Sequence, residues 1–126
     1  MTQPADLLFS KEHEWVKLDG QSATIGITDY AQKALGDIVY VELPKIGTSI
    51  KQFSNVGVIE SVKAVSDLFT PLSGEVVEVN KTLDNDPAAV NREPYGAGWL
   101  LRVRVADPNE ANSLLSAAEY EKIATD

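Results

Sequence analysis

The sequence contains no cysteine and only one histidine, His13, and it is poor in basic residues, with 11 Lys and Arg against 19 Asp and Glu. Without cysteine there is no disulfide framework and no thiol nucleophile, and a zinc site would lack its preferred sulfur and nitrogen ligands. A Ser-His-Asp arrangement would need its single imidazole at an exposed serine, and no G-x-S-x-G elbow is present. Glycine-rich phosphate loops of the G-x-G-x-x-G or Walker type are missing too. A net charge of -8 with a pI near 4.6 opposes nucleic-acid binding, which relies on clustered Lys and Arg to release counterions. No apolar run reaches the length of a membrane span, and the first ten residues, MTQPADLLFS, have neither the basic start of a signal peptide nor the Arg-rich character of a transit peptide. These absences lead us to expect a cytoplasmic chain, or an already processed organellar one, with few catalytic tools of its own. Any chemistry it joins is expected to ride on an attached group.

What is present is a sequence of 126 residues, 44% hydrophobic, enough for one compact domain spanning residues 1–126. Its periodicity is mostly that of short strands. Glu14 to Leu18 and Ala23 to Ile27 read as a hairpin around Asp19-Gly20. Thr28 is placed to cap a short helix and Gly36 to end it in the left-handed conformation. Alternation then predicts a strand with Val39, Val41 and Leu43 on one face, further strands at 55–62 and 65–70, and another with Val77 and Val79 together. A late strand is predicted to put Trp99, Leu101, Val103 and Val105 on one face and Arg102 and Arg104 on the other. Gly36-Asp37-Ile38-Val39-Tyr40-Val41 echoes Gly74-Glu75-Val76-Val77-Glu78-Val79, as two halves of a pseudo-symmetric sandwich would; the alternative is a chance match of two V-x-V strands after a glycine. Over about 107–124 the period becomes helical. Asp107-Pro108-Asn109-Glu110 and Ser116-Ala117-Ala118-Glu119 each have the form of a capping box, predicting two short helices with Tyr120 and Ile123 buried.

Lys63 stands out because it sits between two apolar arms, in Glu60-Ser61-Val62-Lys63-Ala64, where Gly, Asn or Asp would be the usual turn-formers. An ordinary solvated loop lysine is the alternative. Valine and alanine as neighbours, with Glu60 and Asp67 bracketing the site and no second base beside it, suit a lysine held out as a handle.

The wider pattern identifies a resemblance. Glu60-Ser61-Val62-Lys63-Ala64, Lys11-Glu12-His13-Glu14-Trp15, Gly26-Ile27-Thr28-Asp29-Tyr30-Ala31, the run from Leu35 to Pro44, and Pro94-Tyr95-Gly96 with Gly98-Trp99 together resemble the H-protein family of the glycine cleavage system, from about Leu8 to the last helix. The resemblance implies a mainly β fold with short helices, the lipoyl-type barrel-sandwich hybrid of two small antiparallel sheets with C-terminal helices. It implies lipoic acid in amide linkage to Lys63, attached by a separate lipoate-attaching enzyme, within the recognition context of Glu60, Ser61, Val62 and Ala64. It implies a non-catalytic carrier that takes an aminomethyl group from glycine decarboxylase (P protein) and presents it to aminomethyltransferase (T protein). There the one-carbon unit passes to tetrahydrofolate with release of ammonia. Dihydrolipoamide dehydrogenase (L protein) then reoxidises the arm, and no resident thiol is present to exchange with the dithiolane. Glu14 and Asp67 map onto family positions near the arm; an exposed strand-edge charge and a surface acid are the alternatives. Where some relatives carry serine this chain has Glu12. His13 is a candidate frame residue or a packed one, and Trp15 and Trp99 are expected in the core or a cleft wall. Docking three enzymes in turn favours a monomer. A biotin carrier would present M-K-M instead of Val62-Lys63-Ala64; a lipoyl-relay protein or an unmodified binding module is the remaining rival.

Overall fold

The computed structural model describes residues 6–124; residues 1–5 and 125–126, which belong to the expected domain, lie outside the described residues. Among the described residues, nine strands form two antiparallel sheets. The strands are β1 (Leu8–Phe9), β2 (Glu14–Asp19), β3 (Ser22–Ile27), β4 (Ile38–Glu42), β5 (Ser49–Ile50), β6 (Asn55–Ser61), β7 (Val65–Phe69), β8 (Gly74–Val79) and β9 (Leu101–Val105). The larger sheet has the order β1-β2-β3-β9-β8-β5 and the smaller β4-β6-β7. Short helices α1 (Asp29–Leu35), α2 (Ala89–Arg92) and α3 (Ala117–Glu121) punctuate them, with single 3-10 stretches at Lys81–Asp84 and Pro108–Ser113. This is the open barrel-sandwich that the resemblance implies. Ile25, Leu72, Val76, Leu101 and Val103 from the larger sheet and its loops meet Val41, Ile59 and Leu68 from the smaller one in a single core. Removing these side chains from water is the main force that closes the two sheets on each other.

The helix ends follow the expected chemistry. Thr28 accepts from the Ala31 amide at the start of α1, and Gly36, at φ 83°, ends it. In α3, Ser116 and Glu119 form a reciprocal capping box.

Five expectations are corrected. The two echoing strands do not alternate: each bulges, between Ile38 and Tyr40 against β6 and between Val76 and Glu78 against β9. The bulge turns Val39 and Val77 outward, at 53% and 39% exposure, while Ile38 and Val76 stay in the core. Both copies of the echo thus kink at the same position. Trp99 does not join the Leu101 face; its ring lies under the Arg102 guanidinium at 4.4 Å, and Leu100 is the buried residue. Asp107 accepts from Asn109, but Glu110 makes no capping box. It reaches instead to the amide and hydroxyl of Ser73, so this stretch is 3-10 and is clipped to the loop before β8. Ile123 is 44% exposed, leaving Tyr120 as the buried anchor of α3, stacked on Phe9 at 4.6 Å. The first hairpin also turns at Gly20-Gln21, because Asp19 still pairs with Ser22.

Within the smaller sheet, β6 approaches β4 closely at Gly57, where a Cβ would lie 2.1 Å from the Glu42 carbonyl oxygen. Backbone on both sides leaves nothing flexible to move. Gly57→Ala is therefore expected to cost about 2 kcal/mol or more, an overpacking penalty. Urea unfolding followed by tryptophan fluorescence checks this, and an unchanged midpoint would show that the backbone yields freely.

Candidate functional site

The chain reaches the tip of the β6–β7 hairpin with its ladder still paired, Glu60 opposite Val65. Only Ser61, Val62, Lys63 and Ala64 lie beyond that last pair, and Ser61 locks the other three. Its hydroxyl accepts from the amides of Lys63 at 3.3 Å and Ala64 at 3.1 Å, and its own amide donates to the Ala64 carbonyl at 2.8 Å. A side chain here does the work that glycine does in most hairpin turns. The turn is tied from outside as well, since the Val62 amide donates to the Asp37 carbonyl at 3.0 Å. Lys63 is exposed, and the ion pairs among the described residues lie elsewhere, at Asp29, Asp86, Glu78 and Glu75. Its aliphatic stem passes over Gly36, where a Cβ would sit 3.4 Å from Cε. A solvated amine on a braced turn, with a bare glycine under its stem, has room for an acyl group in amide linkage.

From the tip, β7 runs as an edge strand of its sheet. Val65 and Asp67 are exposed on it and Leu68 is buried in the core. The four steps from Val65 to Phe69 span about 13 Å. At the far end the Phe69 amide donates to the carboxyl of Glu14. Glu14 is 2% exposed and also bonds the Ser10 hydroxyl at 2.5 Å. Burial pushes its pKa up to about 8, against the opposing pull of the Ser10 and Phe69 hydrogen bonds. It is therefore a largely protonated acid at neutral pH and not an exposed edge charge. Ser10 and Phe69 belong also to the wall of a cleft of about 340 Å³, completed by Lys11, Glu12, Phe53, Leu114 and Leu115. Phe53 holds a left-handed backbone, φ 64°, with half its side chain exposed at this cleft.

The profile of the family described as glycine cleavage H-protein matches residues 7–126. This chain belongs to the glycine cleavage H-protein family. It is 57% identical to the glycine cleavage system H protein of Opitutus terrae over 121 residues, covering 95% of each chain. It is 52% identical to that of Carboxydothermus hydrogenoformans, covering 95% of this chain and 92% of the relative. The crystal structure of a glycine cleavage system H protein from Mycobacterium marinum superposes with a TM-score of 0.88 at 40% identity, covering 95% of this chain and 97% of that one. H-protein membership brings with it a lipoyl-carrying role in glycine cleavage and work alongside the P, T and L proteins of that system.

Within this H-protein fold the predicted site residues are laid out in a line and not gathered in one cluster. Lys63 is at the tip, with Glu60, Ser61, Val62 and Ala64 around it; Asp67 lies midway along β7 and Glu14 at its far end. His13 frames the far end. It takes a left-handed backbone, φ 68°, stacks on Tyr30 at 4.6 Å, and its Nδ1 lies 2.7 Å from the Tyr120 hydroxyl. Desolvation lowers its pKa, with Glu12 pulling the other way. Trp15 is buried, and Gly26 carries no side chain because a Cβ there would meet the indole at 2.6 Å. Trp99 lines an outer cleft wall with Tyr95 and Arg102. Residue-by-residue reading missed Ser10, Phe53 and Asn91. Ser10 had a faint signal, as a hydroxyl four residues before an acid at a strand start. Phe53 and Asn91 had none.

Proposed function

We propose that Lys63 carries lipoic acid in amide linkage and that this chain is the mobile-arm carrier of a glycine cleavage system, within a single cytoplasmic domain working as a monomer. The observation that carries the reading is the exposed amine, without an ion pair among the described residues, on a turn braced by Ser61 and Asp37, in a chain of this family. Acylation turns a cation into a neutral tether, and the extended lysine plus acyl chain reaches on the order of 14 Å, about the length of four backbone residues. That matches the run of β7 from tip to Glu14. When bound, lipoic acid held by Lys63 would supply a redox-active disulfide, chemistry suited to carrying an aminomethyl unit between the P, T and L proteins of the system.

The remaining work falls to the chain. Tethering holds the arm at an effective concentration in the mM range wherever a partner site lies within reach. The acids Glu60 and Asp67 flank the turn and supply the charge that a lipoate-attaching enzyme reads along with Ser61, Val62 and Ala64. Asp67 is positioned to steer a returning amine along β7 toward Glu14. Glu14, held neutral by burial, ionises when that cation arrives, so docking releases a proton and forms a charge-assisted hydrogen bond in a sheltered place. No side chain here is asked to break a bond.

Intact-protein and peptide mass spectrometry of material from the native host tests the reading. A lipoyl mass on Lys63 is expected. A biotinyl mass would make the chain a biotin carrier, and an unmodified Lys63 in lipoate-sufficient cells would leave it a binding module.

A further inference from the structure

The Lys63 turn is braced by a segment that is itself held by a single side chain on a different element. The strap Gly36-Asp37-Ile38 links the end of α1 to β4. Its Asp37 carbonyl accepts from the Val62 amide at 3.0 Å, and its Gly36 lies under the Lys63 stem. On its other side stands Asn91. The Asn91 side-chain amide donates to the Gly36 carbonyl at 2.8 Å and to Gln32 Oε1 at 3.0 Å, and its oxygen accepts from the Ile38 amide at 2.9 Å. Asn91 thus grips the strap on both sides of Asp37, which fixes the direction of the intervening carbonyl. The grip is anchored at both ends. Ala89 and Val90 of the same helix are 3% and 0% exposed in the core, and Gln32 is held in turn by Asp29 at 2.8 Å.

We infer that Asn91 is a positioning residue for the lipoyl-lysine turn, transmitting the rigidity of the core through the strap to Val62 and Lys63. The inference rests on Lys63 being the attachment point. Asparagine is required chemically because one planar group must offer two donors and one acceptor at once, which neither a hydroxyl, with one donor, nor a carboxylate, with none, can supply. Loss of the grip frees the Asp37 carbonyl to rotate. The turn then keeps its internal Ser61 bonds and the pairing of Ser61 with Ile38 but loses a fixed partner for the Val62 amide, and the arm leaves the surface over a wider cone than partner active sites accept.

The test uses lipoylated Asn91→Ala and Asn91→Asp, the second conserving volume and the acceptor for Ile38 while deleting both donors. Val103→Ala, a core truncation in β9, serves as the control for general destabilisation. Amide hydrogen exchange at Val62 is measured relative to Ile59, together with KM and kcat of glycine decarboxylase for each carrier. Both Asn91 variants are expected to raise relative Val62 exchange at least tenfold and KM at least threefold with kcat within twofold, whereas Val103→Ala changes neither. Val62 exchange and KM that move no more than in the control would overturn the inference. Failure of the attachment reading shows separately, as a missing lipoyl mass on Lys63.

Discussion

Lys63→Arg is expected to abolish lipoyl attachment and to lower glycine–bicarbonate exchange by about a thousandfold, to the level set by free cofactor, with the fold intact. The size follows from tethering: a reagent held at mM effective concentration is replaced by one at μM concentration in solution. Guanidinium keeps the positive charge but offers no amine that forms a stable amide under these conditions. The fold is spared because the turn is built from Ser61 and backbone groups, and the lysine side chain bonds nothing in it. Mass spectrometry, exchange activity and the thermal unfolding midpoint check the three parts. Retained exchange in this variant would contradict the carrier mechanism.

The second large effect belongs to Glu14. Its folded pKa of about 8 lies above its unfolded value of 4.5, so its contribution to stability is full below about pH 4.5 and is lost as pH rises through 8. Over that window wild-type stability falls by roughly 3–5 kcal/mol from this one group, the free-energy equivalent of the shift. Glu14→Gln keeps the shape and an acceptor for Ser10 and the Phe69 amide but has nothing to ionise. Its stability is expected to lack this fall across the same window and to exceed that of wild type at pH 8.5. Urea midpoints of both proteins at pH 5 and pH 8.5 decide it, and parallel pH dependence would remove the buried-acid assignment. The same variant cannot pair with a cation, so the amine carried on the arm is expected to be lost to solvent faster, with lipoylation unchanged.

Much of this was legible before the coordinates, for identifiable reasons. Capping chemistry is local, so α1 between Thr28 and Gly36 and the box at Ser116 and Glu119 were readable from a few residues. The Lys63 turn was legible as an anomaly, because valine and alanine occupy places that turn sterics give to glycine or asparagine. The bulges were not legible, since β-branched residues at 39 and 77 satisfy strand propensity whether they face in or out. Glu14 was singled out by resemblance, but its burial was not legible, since it is packed against Ser10 and the Phe69 amide, the latter 55 residues further along the chain. Asn91 escaped because its three partners come from one helix and one strap more than 50 residues earlier, and nothing in a local window records such a meeting.

The most direct test of the account is to load the lipoylated protein from carbon-labelled glycine with glycine decarboxylase and map the label by peptide mass spectrometry. Label is expected on the Lys63 peptide alone, released on addition of aminomethyltransferase and tetrahydrofolate. Decarboxylation that proceeds with label on another residue, or with none on this chain, would contradict it.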